Sequence, residues 1–322
     1  MAEQQTPSDQ PPEDHESGRK SSAITVLLAG GANLLIAVAK LAAGLLSGSS
    51  AMLSESAHSF ADTLNQGFLM AALHRSGKQA DAEHPFGYGK ERYLWSLLAA
   101  VAVFVLGAGF SVFEGVTALL GGSGAEGDPL VSYLVLAGAF CFESISLGRG
   151  LWQLRREARE AGHGVLHQLR GADPTLRGVV FEDSAAVFGV VVAALGLLGT
   201  ELTGSHLYDG IASLLIAAAL VAVAWALGRY NQEQLIGRAV APAVLRGIRS
   251  EIAGTDGITG VLELLTMELS PEEVLLAARV DVADRSSGAE LERVADHVEE
   301  RVRSVYPQVR HVFVDPTPGK AS

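Results

Sequence analysis

His58 and Asp62 stand four residues apart in one apolar stretch of the 322-residue chain, and Glu182 and Asp183 stand side by side in another. On a helix, residues four apart share a face, so an imidazole and a carboxylate would project together from the first stretch. Adjacent residues diverge by about 100°, so Glu182 and Asp183 present two directions rather than one. Imidazole nitrogen and carboxylate oxygen are the donors of tetrahedral zinc sites, and the same set accepts Mn2+, Fe2+ or Co2+. The alternative is structural, because the same groups can form buried hydrogen-bonded pairs that lock helices together. Spacing alone leaves both readings open.

The elements that must carry these residues are membrane helices. Six apolar stretches, near 22–47, 51–74, 93–120, 130–152, 175–199 and 206–228, are long enough to cross a hydrocarbon core about 30 Å thick. The joints Ser47–Ser50, Gly121–Pro129 and Gly199–Ser205 are turn-like and contain no Lys or Arg. The opposite joints are basic, with Arg75, Lys78, Lys90 and Arg92 in one and Arg155, Arg156, Arg159, Arg170 and Arg177 in the other. The positive-inside rule then places both termini in the cytoplasm. Span two enters from outside near Ala51, which puts Asp62 about 16 Å deep; span five enters from inside near Pro174, which puts Asp183 about 14 Å from the other face. One imidazole and three carboxylates are therefore expected at the midplane. Charges at that depth cost several kcal/mol, so each is a functional candidate.

Other polar residues have structural readings. Glu55 is expected near the outer entrance, Glu143 beside Arg149, and Asp209 at the N-terminus of its own helix. Glu114 is expected to be satisfied within the bundle, and Asn33, Asn65 and Gln66 to hydrogen-bond between helices. His163 and His167 are too few for a histidine-rich metal tract.

A net charge of −12 beside 48% hydrophobic residues suits a membrane bundle joined to an acidic soluble part. The absence of basic runs argues against nucleic acid, and the single Cys141 excludes a thiolate cluster or a disulfide framework. Residues 1–20 are polar and proline-containing, without the pattern of a signal peptide, so a disordered, retained tail is expected. The Arg- and Ala-rich composition suggests a bacterial origin, and with it the plasma membrane. The expected domains are the tail at 1–20, a six-helix transport domain at 21–240, a soluble unit at 241–316 and a tail at 317–322. Within the soluble unit the periodicity predicts helix–strand–strand–helix–strand. The fold class is thus an all-α bundle of six transmembrane helices plus a small α+β domain.

The stretches Ser49-Ser50-Ala51-Met52-Leu53-Ser54-Glu55-Ser56-Ala57-His58-Ser59-Phe60-Ala61-Asp62 and His84-Pro85-Phe86-Gly87-Tyr88-Gly89-Lys90 resemble the cation diffusion facilitator family over roughly residues 22–316. Phe181-Glu182-Asp183-Ser184-Ala185-Ala186 and Leu207-Tyr208-Asp209 resemble its branch containing the ninth mammalian zinc transporter type. The resemblance implies a metal/proton antiporter, a homodimer with a ferredoxin-like cytoplasmic domain, and a transport site between spans two and five. His58, Asp62 and Asp183 match its ligands; the fourth ligand position holds Val179, with Glu182 as the substitute. A second family site in the loop after span two would use Asp81, His84 and position 88, where Tyr88 stands. The family's cytoplasmic metal positions hold Leu262, Arg279, Phe313 and Asp315, so no strong metal cluster is expected there.

The expected function is efflux of a divalent metal, with zinc first and Mn2+, Fe2+, Co2+ or Cd2+ as alternatives, exchanged for protons across a lipid bilayer. The metal is cargo, and no prosthetic group is expected. The rivals are an organic-cation transporter, which has no need of His58, and a receptor or scaffold that uses the C-terminal unit alone. An enzyme is disfavoured because no nucleophile or second base accompanies the cluster.

Overall fold

A computed structural model of the protein describes residues 13–121, 129–160, 162, 164, 165, 168, 169, 174–283 and 286–317, with side chains described from Gly30 onward in the first helix. His163, His167, Arg170 and the stretch 1–12 lie outside the described residues. Six long helices come first: α1 (Glu13–Ser47), α2 (Ser50–Ser76), α3 (Glu91–Leu119), α4 (Pro129–Glu160), α5 (Pro174–Thr203) and α6 (Leu207–Ile236). Residues 13–20 of the expected tail therefore already belong to α1.

Five of these helices, α1 and α3–α6, are long and apolar enough to cross a membrane. α2 falls short in apolarity, although its 27 residues span about 40 Å. The reason is its position: Ala51, Met52, Ser54, Glu55, Ser56, His58, Ser59 and Ala61 are all buried. A helix enclosed by others needs no lipid-compatible surface, so α2 can carry the polar chemistry that the outer helices cannot. The result is a six-helix membrane bundle, and the protein crosses the membrane several times.

The interior of the bundle is built from small residues, among them Ala43, Ala51, Ala61, Ala108, Ala139, Ala193 and Ala212. Large apolar side chains such as Leu35, Leu134, Trp152 and Trp225 point outward. That inverts the pattern of a soluble core and follows from lipid being as apolar as leucine, so helices associate through close packing. α3 and α6 approach closely at a pair of glycines, where a Cβ on Gly115 would lie 3.0 Å from the Gly210 carbonyl oxygen, and one on Gly210 would lie 3.1 Å from that of Gly115. In mid-course α3 widens into a π-helical turn at Val103–Ala108. Gly107 in that turn faces Leu220 and Ala61, next to Asp62.

The described chain divides into two compact units, Met1–Met70 with Ala99–Trp225, and Ala71–Leu98 with Ala226–Ser322. The second unit contains α7 (Pro242–Ala253), β1 (Ile258–Ser270), β2 (Glu273–Val282), α8 (Gly288–Val305) and β3 (Val309–Pro316). β1 and β2 form an antiparallel hairpin, β3 pairs parallel to β2, and the strand order is β1-β2-β3. Alternation along β2 buries Val274, Leu276, Ala278 and Val280 against Ile248, Ile252, Val298 and Val302 of the two helices. A capping box between Ser287 and Glu290 starts α8. The predicted helix–strand–strand–helix–strand order is the observed one.

Candidate metal centre

The N-terminus of α2 is held from across the bundle. Asp209 of α6 accepts hydrogen bonds from the Ser49 hydroxyl (2.8 Å), the Ala51 amide (3.2 Å) and the Ser50 amide. Asp209 thus caps α2, whereas the sequence reading assigned it to its own helix; orphan amides in a bilayer need such a partner. This anchor fixes where the rest of α2 projects. Glu55, His58 and Asp62 follow on one stripe of the helix, because steps of three and seven residues return to nearly the same direction.

His58 is 2% exposed, and its Nε2 lies 3.6 Å from Asp62 Oδ2. Neither His58 nitrogen has a hydrogen-bond partner, and Asp62 Oδ1 and Asp183 Oδ2 are likewise buried without one. Asp183 accepts a hydrogen bond from Ser146 of α4. Glu182 points elsewhere: both of its oxygens lie 2.8 Å from the Asn65 amide nitrogen. Asp62, Glu182 and Asp183 are within Coulombic reach of one another. Among the described residues, no three His, Cys, Asp or Glu side chains close around an ion-sized space. Of the four sequence-predicted residues, His58 and Asp62 stand together, while Glu182 is bonded to Asn65 and Asp183 to Ser146.

Three neighbours of this zone depart from the sequence reading. Glu55 is fully buried rather than at the entrance, and its Oε2 lies 2.8 Å from the equally buried Lys40 Nζ of α1. Lys40 also donates to Ser59 Oγ at 2.9 Å. Glu143 is buried within Coulombic reach of Lys40, Asp62 and Asp183, whereas its expected partner Arg149 is exposed. Lys40 was missed because one lysine within two turns of a helix end ordinarily snorkels to the interface. Only a facing carboxylate marks it as buried. The asparagine expectation fares better, since Asn65 does bond between helices.

The transmembrane-domain model of the cation efflux proteins matches residues 26–236, and the model of their cytoplasmic domain matches residues 241–318. The chain belongs to the cation efflux family. Among its relatives, the proton-coupled zinc antiporter SLC30A9, mitochondrial, of Xenopus laevis is 34% identical over 76% of this chain and 44% of that protein. Its Homo sapiens counterpart is 33% identical over 76% of this chain and 43% of that protein. Metal tolerance protein C4 of Arabidopsis thaliana is 37% identical over 65% of this chain and 46% of that protein. The chain thus spans under half the length of these relatives.

Two further places correspond to the family's other metal sites, where the resemblance implies a weak or missing loop site and no strong cytoplasmic cluster. In the loop after α2, Tyr88 donates to Asp81 Oδ2 at 2.7 Å, and Asp81 Oδ1 accepts from the amides of Glu83 and His84. The Tyr88 hydroxyl, together with these amides, holds the Asp81 carboxyl below the usual range, while the bond to Asp81 pushes the Tyr88 phenol up to about 12. On the sheet, Arg279 of β2 lies between Asp315 of β3 (3.0 Å) and Glu263 of β1 (3.3 Å). A fixed cation stands at each place: Lys78 lies over the Tyr88 ring, and Arg279 bridges the two carboxylates.

Proposed function

We propose that this protein exports a divalent metal, zinc foremost, across the membrane in exchange for protons, with His58, Asp62 and Asp183 as metal ligands and Glu182 beside them. The observation that carries this reading is the set of buried, unpartnered atoms at mid-bundle: both His58 nitrogens, Asp62 Oδ1 and Asp183 Oδ2. Leaving such groups unsatisfied in a membrane interior costs several kcal/mol, and a cation bound among them would offset that cost. One imidazole with two carboxylates is a zinc-type donor set. Val179, at the remaining family position, has no donor atom, so a fourth ligand must come from Glu182 or water.

Metal and protons compete for the same atoms, because ligation requires neutral His58 and ionised carboxylates. A site that exchanges one for the other while opening alternately to the two sides performs antiport, and rocking of helices around a fixed centre supplies the alternation. The names of the relatives, a proton-coupled zinc antiporter and a metal tolerance protein, support the same direction. We further propose a homodimer formed through residues 241–316, with both termini on the cytoplasmic side of a cell membrane.

The test is uptake into proteoliposomes under an imposed pH gradient, comparing Zn2+, Mn2+, Co2+, Fe2+ and Cd2+. The wild type is expected to carry zinc, and Asp62→Asn and Asp183→Asn to abolish flux while the protein still folds. Asparagine keeps size and hydrogen bonding but removes the charge that supplies most of the attraction at low dielectric. His58→Asp is expected to retain flux and shift preference toward Mn2+ or Cd2+. Full zinc transport by Asp62→Asn would defeat the assignment.

A further inference from the structure

Lys40 is the only buried lysine or arginine among the described residues, and it is completely enclosed. Stability gives no reason to keep it there. A buried ion pair is at best about equal to apolar residues of the same volume, because desolvation cancels the attraction. Its location offers a better reason. Glu55 precedes Asp62 by seven residues, two turns of α2, so both carboxylates lie on the stripe that carries His58. Lys40 binds Glu55 through one oxygen and Ser59, the neighbour of His58, through its hydroxyl.

Among the described residues, Lys40 is the one group that forms an ion pair with Glu55. Its second oxygen, Oε1, is buried without a hydrogen bond and abuts Gly189 of α5, where any added Cβ would overlap it. Ile216 of α6 lines the same spot. A glycine on α5 thus makes room for the Glu55 carboxylate, and the Lys40 ammonium holds it there. Without that ammonium, a desolvated carboxylate one turn from His58 would be left beside the metal zone. A divalent ion would be the nearest available counter-charge.

We infer that Lys40 is a tethered cation that sets the metal preference of the transport site by holding Glu55 out of the ligand set. With Glu55 sequestered, the ion meets one imidazole and two aspartates, a small set that suits tetrahedral zinc. With Glu55 released, it meets three carboxylates and one imidazole, an oxygen-rich set that favours larger, harder ions such as Mn2+. Lys40 is a positioning residue in this scheme, since it acts through Glu55 and touches no ligand. The inference rests on the transport reading above.

The experiment measures equilibrium binding of Zn2+ and Mn2+ to the full chain in lipid nanodiscs, with flux measured separately in proteoliposomes. Lys40→Met is expected to raise Mn2+ affinity relative to Zn2+ by about ten- to a hundred-fold, the range in which groups orienting a ligand act. Lys40→Arg should keep the wild-type ratio, and Lys40→Met with Glu55→Gln should restore it, which a merely structural lysine would not predict. Lys40→Gln, which can still donate to Glu55 but carries no charge, should shift the ratio in the same direction and covers the case in which Lys40→Met does not fold. An unchanged ratio in folded Lys40→Met or Lys40→Gln, or no restoration in the double variant, would each overturn the inference. A wild type that binds zinc but carries none would defeat transport and leave this inference to the ratios. A wild type that binds neither metal would end both.

Discussion

The Asn65 amide nitrogen lies 2.8 Å from both carboxylate oxygens of Glu182, a bond between α2 and α5 three residues beyond Asp62. It separates Glu182 from Asp183, whose Oδ2 remains unpartnered. Glu182→Gln keeps an acceptor for Asn65 and removes charge. If Glu182 acts from behind the ligands, the variant retains zinc flux at reduced affinity; if it binds metal directly, flux falls as far as in Asp183→Asn. We expect retention, with affinity weakened by about ten- to a hundred-fold, and the same loss in Asn65→Ala. Zinc titrations and uptake on both variants decide the matter.

How far these relationships were legible beforehand depended on their range. The spans followed from hydropathy and the orientation from basic loops, both of which accumulate along a helix. His58, Asp62 and Asp183 stood out because charge in a bilayer is costly wherever it occurs. The direction in which a charge turns is tertiary information. Glu55 belonged at the entrance by depth alone, and only Lys40, on another helix, draws it inward. Asp209 satisfied a local rule at its own helix end, yet its partners are 158–160 residues away. The π turn at Val103–Ala108 had no local signature in a run of apolar residues.

The loop after α2 should hold its shape without metal. Asp81 has a depressed pKa, so its contribution is present above about pH 4, the ordinary carboxylate value, and is lost as pH falls through the folded value. Tyr88 has a raised pKa, so its contribution is complete below about pH 10 and lost as pH rises toward its value of about 12. The lock is therefore intact across the neutral range. Chelator or added zinc should leave tryptic cleavage at Lys78 and Lys90 unchanged at pH 7.5. Tyr88→Phe should speed that cleavage and leave transport nearly as it was. Zinc-dependent protection of the wild-type loop would show that metal binds there.

On the sheet, Arg279 occupies the space between Glu263 and Asp315 and is half exposed. Exposed pairs contribute little, so Arg279→Met should barely change thermal stability. Arg279→His is more informative, because it places an imidazole between two carboxylates that already face one point. We expect the full-length Arg279→His protein to bind additional zinc by equilibrium dialysis, measured against wild type. An unchanged zinc count would mean that the carboxylates are held together by the guanidinium itself and separate without it.

The cap on α2 gives the clearest stability prediction. Asp209 accepts from two backbone amides and the Ser49 hydroxyl, and these bonds link α6 to the first turn of the helix that carries His58 and Asp62. Asp209→Ala leaves those amides without an acceptor, at about 0.5–2 kcal/mol for a lost cap. The loss should be near the upper end, since Ser49, Ser50 and Asp209 are all buried. Asp209→Asn keeps an oxygen acceptor and should recover much of it. Thermal unfolding of purified protein in detergent reads the stability, and zinc affinity reads the register of α2. Both should fall in Asp209→Ala and partly return in Asp209→Asn. Wild-type affinity in a destabilised Asp209→Ala protein would show that α2 keeps its place without the cap.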